Sequence, residues 1–590
     1  MARQEASSRP KSSDNASCTD PLFTQKNFER ELENLAAKAQ GKTWIGWAIR
    51  QVWILLQVVA LYSLAATSSN ISILSLSPVY GTFPSKIWHE EGIWVSCFLG
   101  WSLNRFFQKY LAVNPRYLLP LVAAYIPMMT FFLIRLSSLL GAGYGPLVTE
   151  AFTLYPLLVL TIAVAANLLD EIDLKWRWIP SWISDSLPGI FSFLCFQTME
   201  LFTEGELRKT IGTSFLQTRL GIQIALAGIY SVLAPSKLLI CILPAVLHTA
   251  LFNIHVQSSY ATDLLSSSLV NSGWTLLERK ESTTGYISVI ESHEKGFRVL
   301  RCDHSLLGGE WLMTANTQQV AEPIYSVFVM LEAVRLVDVI DPVLDSEAKA
   351  YVVGLGIGTT PAAFMKHGIH TTIVEIDPVV YEFANKYFNL PKNHVAVIAD
   401  AVNHTAELVQ KKQKYDYIVH DVFTGGAEPV ELFTFEFIQD LNSILKPGGV
   451  IAINYAGDLK LPATRIVVQT IRSVFQTCRI FRESEAPSES LNSADAVRDF
   501  TNLVIFCTKG ASKVKFREPK ETDFLGSGAR QRFLVPQFEV NDSVFNEQES
   551  DGGLLRRNDT ERFRVWQQRS ALGHWYLMRT VLPPMIWEMW

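Results

Sequence analysis

The sequence predicts a chain of two unlike halves: an N-terminal polytopic α-helical membrane domain, and a C-terminal doubly wound α/β domain entered through a small β-rich unit. Three observations predict it. Of 590 residues 48% are hydrophobic, with a mean hydropathy of +0.16, and the excess lies before residue 255. From about 272, short runs of alternating polar and apolar residues are separated by turn residues. From 346 to 510, strand-like apolar runs alternate with helix-like ones, the pattern of a parallel sheet with crossover helices. Length and composition exclude a single domain and an ordinary soluble enzyme.

Residues 1–44 form a polar tail, expected on the cytoplasmic side, and 45–255 a membrane domain. Segments near 45–67, 88–104, 117–134, 147–168, 188–203 and 219–254 are rich in Leu, Ile, Val, Phe and Trp, several near the roughly 20 residues that cross a bilayer. The last breaks at Ala234-Pro-Ser-Lys237 and predicts two helices. The segment 188–203 is short and carries Glu200, so it is expected not to cross, which leaves about six spans. Basic residues then gather on one side: the tail, Arg105, Lys109 and Arg116, and Lys175, Arg177, Arg208, Lys209 and Arg219. The positive-inside rule places both termini in the cytoplasm. A secretory leader is not expected behind so polar a start.

Residues 256–345 hold the runs WTLLERKE, GYISVIES, FRVLRCD and EWLMTA, read as an antiparallel unit, and then a connecting helix over 322–338. Residues 346–510 supply the alternating strands YVVGLG, TTIVEID, HVAVIAD, YDYIVHDVF and GVIAINYAG, with CRIFRES and NLVIFCTK as a closing hairpin. Residues 511–590 are an extension, charged to about 560 and ending in ALGHWYLMRTVLPPMIWEMW, whose tryptophans are expected on the domain or at the membrane surface.

Open α/β sheets bind ligands at the carboxyl ends of their strands. Here the first strand ends in Gly354-Leu-Gly356-Ile-Gly358-Thr359. A dinucleotide fingerprint would place glycine at 359, and a phosphate-binding P-loop would end in Lys-Ser or Lys-Thr. The loop suits instead a nucleoside with a short aminoalkyl chain. Glu375, followed by Asp377, closes the second strand and can accept from both ribose hydroxyls. Asp400-Ala401 closes the third and can accept from an adenine amino group. The ligand read from these residues is S-adenosylmethionine or its decarboxylated form.

The fourth strand ends in His420-Asp421. The order GLGIG, IVEIDP, IADA, YDYIVHD and ELFTFEF, over roughly 275–510, resembles the spermidine synthase (polyamine aminopropyltransferase) family, and most of all its divergent, membrane-fused members. The resemblance implies a Rossmann-like fold of the class I methyltransferase and spermidine synthase type, with Asp421 as the general base that deprotonates the attacking amine. It also implies a substrate pocket with Tyr325 and Thr424. The sequence departs from the family at that pocket. Thr424 stands where the synthases carry a second aspartate, and Ile357 where their glycine loop has one. Ser282-Thr-Thr-Gly285 lacks their glutamine, and Tyr325-Ser-Val keeps only the tyrosine of Tyr-His-Glu. The main expectation is aminopropyl transfer in polyamine biosynthesis. The alternatives are a methyltransferase on another acceptor, and a membrane transporter or sensor that binds the nucleoside without turnover.

Seven cysteines are scattered without paired spacing, so neither a disulfide framework nor a metal site is expected, and Cys302, Cys478 and Cys507 are expected to stay reduced. A net charge of −5 and no basic stripe argue against nucleic acid. The partners expected are a small-molecule acceptor of the amine class, the lipid bilayer and a second copy of the chain. Asn70 is the expected glycan acceptor, with Asn403, Asn541 and Asn558 silent. His248 and His255 read as interfacial histidines, and Glu200 as a polar site in the bundle.

Overall fold

The computed structural model describes residues 25–172, 181–313, 318–423, 427–486, 499–510, 513–545 and 553–590. Helix α1, Gln25–Tyr80, is the axis of the first half. Around it stand α2 (His89–Ser102), α3 (Leu119–Leu133), α4 (Ser137–Phe152), α5 (Leu154–Asp170), α6 (Ser181–Thr210), α7 (Arg219–Leu233) and α8 (Leu243–Leu251). Val58, Tyr62, Ala65, Leu158 and Tyr230 form their shared core. Proline and glycine set the breaks: α3 and α4 join through a 3-10 turn, and Gly141 inside α4 takes φ 67. The 219–254 block parts into α7 and a 3-10 turn leading to α8.

Two expectations change here. Residues 25–44, read as tail, continue into α1 as helix. The segment 188–203 lies inside the 30-residue α6, which packs along α1 and is not among the described helices long and apolar enough to cross. Among the described residues only Gly46–Tyr80 and Pro115–Phe152 are both long and apolar enough to cross a membrane, with shorter apolar helices at Leu154–Asp170, Arg219–Leu233 and Lys237–Leu251. Six or more crossings are therefore not carried by length and composition alone.

Several polar groups inside this apolar bundle pair with one another, as burial favours. His89 Nδ1 lies 2.7 Å from Glu150 Oε1, which also accepts from Ser72 Oγ at 2.6 Å, and Ser69 Oγ donates to Glu200 Oε1 at 2.7 Å. Asn70 is 9% exposed and donates to the Glu200 carbonyl and to Thr203. It is a buried helix-packing residue, which removes it as a glycan acceptor.

After α9 (Ser259–Val270) come β1 (Trp274–Glu281), β2 (Tyr286–Ser292), β3 (Phe297–Cys302), β4 (Ser305–Trp311) and β5 (Glu322–Pro323), one antiparallel sheet in sequential order. The connecting helix is short, α10 (Ser326–Leu331) plus a 3-10 turn to Leu336.

The second sheet has eight strands, β6 (Lys349–Val353), β7 (His370–Glu375), β8 (His394–Ile398), β9 (Tyr415–His420), β10 (Leu445–Asp458), β11 (Thr477–Arg482), β12 (Phe500–Thr508) and β13 (Phe538–Glu539), in the order β13-β11-β12-β10-β9-β6-β7-β8. Residues 350–353 are buried throughout, as a strand with helices on both faces must be. The crossovers are α11 (Thr359–Lys366), α12 (Pro378–Tyr387), α13 (Ala401–Gln410), α14 (Phe435–Ile444) and α15 (Pro462–Val474). The expected closing hairpin is present, with β12 inserted between β10 and β11.

Cys478 and Cys507 face each other across that hairpin and form a disulfide, Cα to Cα 4.2 Å. The sequence hid it: 29 residues separate the two, and only the antiparallel register brings them together. The expectation of reduced thiols at these positions is overturned.

The extension adds α16 (Gly528–Phe533), α17 (Arg564–Val581) and α18 (Pro584–Glu588). Trp587 and Trp590 are fully buried, the latter stacked on His255 at 4.5 Å, so both pack inside the molecule and His255 is no interfacial residue. Buried arginines join the parts. Arg301 donates to the carbonyls of Pro78, Asp303, Ile586 and Trp587, Arg279 to those of Ile254, Val256 and Trp590, and Arg219 to that of Leu74. Hydrogen bonds to charged groups contribute about 1.5–3 kcal/mol each, so Arg279 and Arg301 fix the β-rich unit and the C-terminal extension against the helical bundle, and Arg219 ties two helices within it.

Candidate active site

Strand order reverses at β6, with β7 and β8 on one side and β9 and β10 on the other, and the crevice outside the strand ends lies at that point. A cavity of about 1040 Å³ opens there. Strand adjacency sets Asp400, Glu375, Gly354 and Asp421 in one row along its floor, each at or just past the end of its strand.

At the nucleoside end the cavity is lined by Gly354, Leu355, Gly356, Glu375, Ile376, Asp400 and Ala401. Gly354 takes φ 87, and a Cβ there would stand 2.0 Å from the Asp421 carbonyl; at Gly356 it would meet the Leu307 carbonyl at 2.4 Å. Only glycine fits either place, in conformation and in space. Glu375 is 8% exposed, and its two oxygens accept from the backbone N–H groups of Leu355 and Asp377 at 3.0 and 2.9 Å. Burial pushes its carboxyl up to about 7. Each oxygen keeps a lone pair, so Glu375 can brace the loop and still accept from a ribose. Asp400 caps α13 through Val402 N and holds Asn403 Nδ2, with its carboxylate at the cavity edge. Exposed Ile376 offers an apolar face beside it.

Two of the expected nucleoside residues sit elsewhere. Asp377 is fully buried, caps α12 through Val379 N and Val380 N, and accepts from Ser282 and Thr284. It ties the β-rich unit to the sheet and does not line the cavity. Gly358 starts α11 in the left-handed region and packs on Leu390, where it shapes the turn without facing the ligand space.

At the other end stand Asp421, Tyr325, Phe423, Asn454, Glu483, Phe500, Asn502 and His574. Asn454 Nδ2 donates to Asp421 Oδ1 at 2.8 Å, and burial pushes the Asp421 carboxyl up to about 6 against that bond. Glu483 is occupied by Ser326 and Asn502, each at 2.7 Å. The Tyr325 hydroxyl is buried and finds no protein partner among the described residues. His574 lies 4.9 Å from Phe423, and burial holds its imidazole down to about 3, hence neutral. Thr424 lies outside the described residues. Asn454, Glu483, Asn502 and His574 were not foreseen, because they come from segments whose sequence gives no sign of converging. Helix α17, expected on the domain or at the membrane surface, is the roof of this end.

Glycine corners under a nucleoside-sized space, strand-end carboxylates and a buried aspartate opposite define a transferase that takes S-adenosylmethionine. Residues 336–482 match the spermine/spermidine synthase domain. The polyamine aminopropyltransferase of Vibrio vulnificus is 35% identical over 145 residues, 24% of this chain and 47% of that one. The N-terminal histidine N-methyltransferase of Emericella nidulans is 44% identical over 547 residues, 90% of this chain and 96% of that one. Among solved structures, a probable spermidine synthase from Corynebacterium glutamicum is 17% identical with a TM-score of 0.35, over 47% of this chain and 96% of that one. The chain belongs to the family of the N-terminal histidine N-methyltransferase; its sequence match to the aminopropyltransferase of Vibrio vulnificus covers about a quarter of it.

Proposed function

We propose that this transferase moves a methyl group from S-adenosylmethionine to a nitrogen of an N-terminal histidine on a polypeptide, and that decarboxylated S-adenosylmethionine and polyamines are not its substrates. The observation that carries this reading is the similarity to the Emericella nidulans enzyme along nearly the whole chain. The acceptor end of the cavity supports it. A polyamine needs several anionic groups along its length, and there Glu483 is already engaged while Phe423, Phe500, Tyr325 and His574 offer flat faces. An imidazole is flat and largely uncharged at neutral pH, so we assign the ring as the acceptor.

When bound, S-adenosylmethionine supplies an electrophilic methyl on a sulfonium. The unprotonated ring nitrogen attacks that carbon, the carbon–sulfur bond breaks with its electron pair on sulfur, and the ring N–H proton passes to Asp421 and on to water. Asn454 holds the Asp421 carboxylate in place. The aromatic walls orient the ring, and orientation of nucleophile and methyl group supplies much of the rate.

The finer membrane reading is seven crossings, with α6 counted in. From a cytoplasmic N terminus an odd number puts the catalytic domain on the non-cytoplasmic face, together with the loop that carries Arg208 and Lys209, and the Cys478–Cys507 disulfide supports that side, since such bonds persist in oxidising compartments. That reading requires S-adenosylmethionine to be supplied there.

The test incubates the purified full chain with S-adenosylmethionine or its decarboxylated form and either a peptide beginning with histidine or putrescine. Gain of one methyl on the histidine ring, located by fragment mass spectrometry, is expected. Aminopropyl transfer from the decarboxylated form would overturn the reading.

A further inference from the structure

The acceptor end carries a second carboxylate whose surroundings differ from those of Asp421. Glu483 is half-buried, stands just past the end of β11 and lines the cavity. Its Oε1 accepts from Ser326 Oγ at 2.7 Å and from Val327 N at 3.3 Å, and its Oε2 accepts from Asn502 Nδ2 at 2.7 Å. All three donors are neutral, so they aim the carboxylate without cancelling its charge. An ionised carboxylate offers about four lone-pair sites, which leaves one open on Oε2. Among the described residues Glu483 makes no ion pair, and its neighbour Arg482 is turned to Asp499 at 2.7 Å. The other acidic groups along the cavity are placed differently. Glu375 and Asp400 belong to the nucleoside end, and Glu90 and Glu561 both pair with Arg564, at 2.6 and 3.5 Å. Glu431 lies on the turn Val430–Phe433, which packs on α13, the helix that Asp400 caps.

The sheet fixes the interval between Asp421 and Glu483. Strands β9, β10, β12 and β11 are successive neighbours, so the two residues stand three strand spacings apart, each of about 4.8 Å. A row of rings bridges that interval: His574 lies 4.9 Å from Phe423 and 6.4 Å from Phe500. Phe423 follows closely on Asp421, and Phe500 shares its face of β12 with Asn502, the residue that holds Glu483.

We propose that Glu483 binds the α-ammonium group of the acceptor's first residue, and so restricts methyl transfer to a histidine that begins a chain. The inference rests on the histidine acceptor proposed above. With the imidazole against Phe423, Phe500 and His574 and its N–H toward Asp421, the amino end of the same residue runs along the row of rings to Glu483. An α-amino group has a pKa of about 7.7–8.0, so it is largely charged at neutral pH, and a carboxylate beside it favours that form further. A histidine inside a chain brings a neutral amide N–H to the same place and leaves the charge of Glu483 unmatched.

The test gives the full chain in detergent, with S-adenosylmethionine, two peptides that are identical except at the first residue, which is histidine in one and des-amino-histidine (an imidazolepropionyl group) in the other. We expect kcat/KM for the free amine to exceed that for the des-amino peptide by about 10- to 150-fold, the effect of one hydrogen bond between charged groups. Glu483→Gln should bring that ratio close to one, and Glu483→Asp, which keeps the charge on a shorter side chain, should retain part of it. Calorimetric titration with S-adenosylmethionine reports whether each variant is folded. Equal use of the two peptides by the unaltered chain overturns the proposal and leaves the histidine reading standing. A ratio that survives intact in folded Glu483→Gln also overturns it, and assigns the amine to another group. If neither peptide is methylated while S-adenosylmethionine is bound, the histidine reading fails and this proposal with it. The peptide comparison on the unaltered chain stands even if a variant does not fold.

Discussion

At Asp421 the enzyme faces a choice that its burial decides. A carboxyl held up to about 6 is a stronger base than an ordinary aspartate and still ionised at neutral pH. It accepts a proton only as the carboxylate, so kcat should rise as pH climbs through about 6 and fall on the acid side. Asp421→Asn should lower kcat by about 100- to 10,000-fold, with the affinity for S-adenosylmethionine kept; an unchanged kcat would remove Asp421 as the base. Glu375 carries a different load. Its ionised form is the better acceptor for ribose hydroxyls, and burial sets its carboxyl near 7. Nucleoside affinity should therefore weaken as pH falls through 7. Glu375→Ala should cost roughly 2–4 kcal/mol of binding, about 30- to 1000-fold. Because both oxygens also hold backbone N–H groups, it should lower the melting temperature as well, so calorimetric titration and a thermal melt belong together. Normal affinity in that variant would mean the ribose sits elsewhere.

Among the elements, the hairpin of β11 and β12 and the roof helix α17 do what the shared sheet alone does not. Cross-linking a loop with a separation of 29 residues restricts the unfolded chain by about 3–4 kcal/mol. Replacing Cys478 and Cys507 together by serine, or reducing them, should lower stability by that order in a denaturant titration. Glu483 follows directly on β11, and Phe500 and Asn502 lie on β12. The same change should therefore raise the acceptor KM more than that of S-adenosylmethionine. No loss of stability would show that the two cysteines are not joined in the working protein.

For the whole molecule the question is which compartment holds the cavity. With the seven crossings proposed above, the cavity lies on the non-cytoplasmic face, where an oxidised hairpin persists. Asn541 and Asn558 are exposed and head acceptor triplets, whereas Asn70 is packed against α6. Glycans are therefore expected at Asn541 and Asn558 and not at Asn70. Protease added to sealed vesicles from the cytoplasmic side should leave the C-terminal domain whole. Digestion of that domain, with both sites bare, would restore an even number of crossings and a cytoplasmic enzyme.

Period and punctuation carried much of this into the sequence. The parallel strands, the glycine corner at Gly354 and Gly356, and Asp421 at a strand end were all legible, because a strand end is a local feature and its ligand-facing residues follow it directly. Asp377 and Gly358 were misread for the same reason. Adjacency along the chain could not tell a helix cap or a packing corner from a residue that faces the cleft. Glu200 in the helix over 188–203 is held by Ser69 on another helix, a pairing no local window contains. Only the tertiary structure brought Cys478 to Cys507, Asn454 to Asp421 and His574 over Phe423. Contacts of that kind depend on register and on the path of distant segments. The sequence by itself thus determined the transferase sheet and its strand ends, and the packing of remote elements decided which side chains meet there.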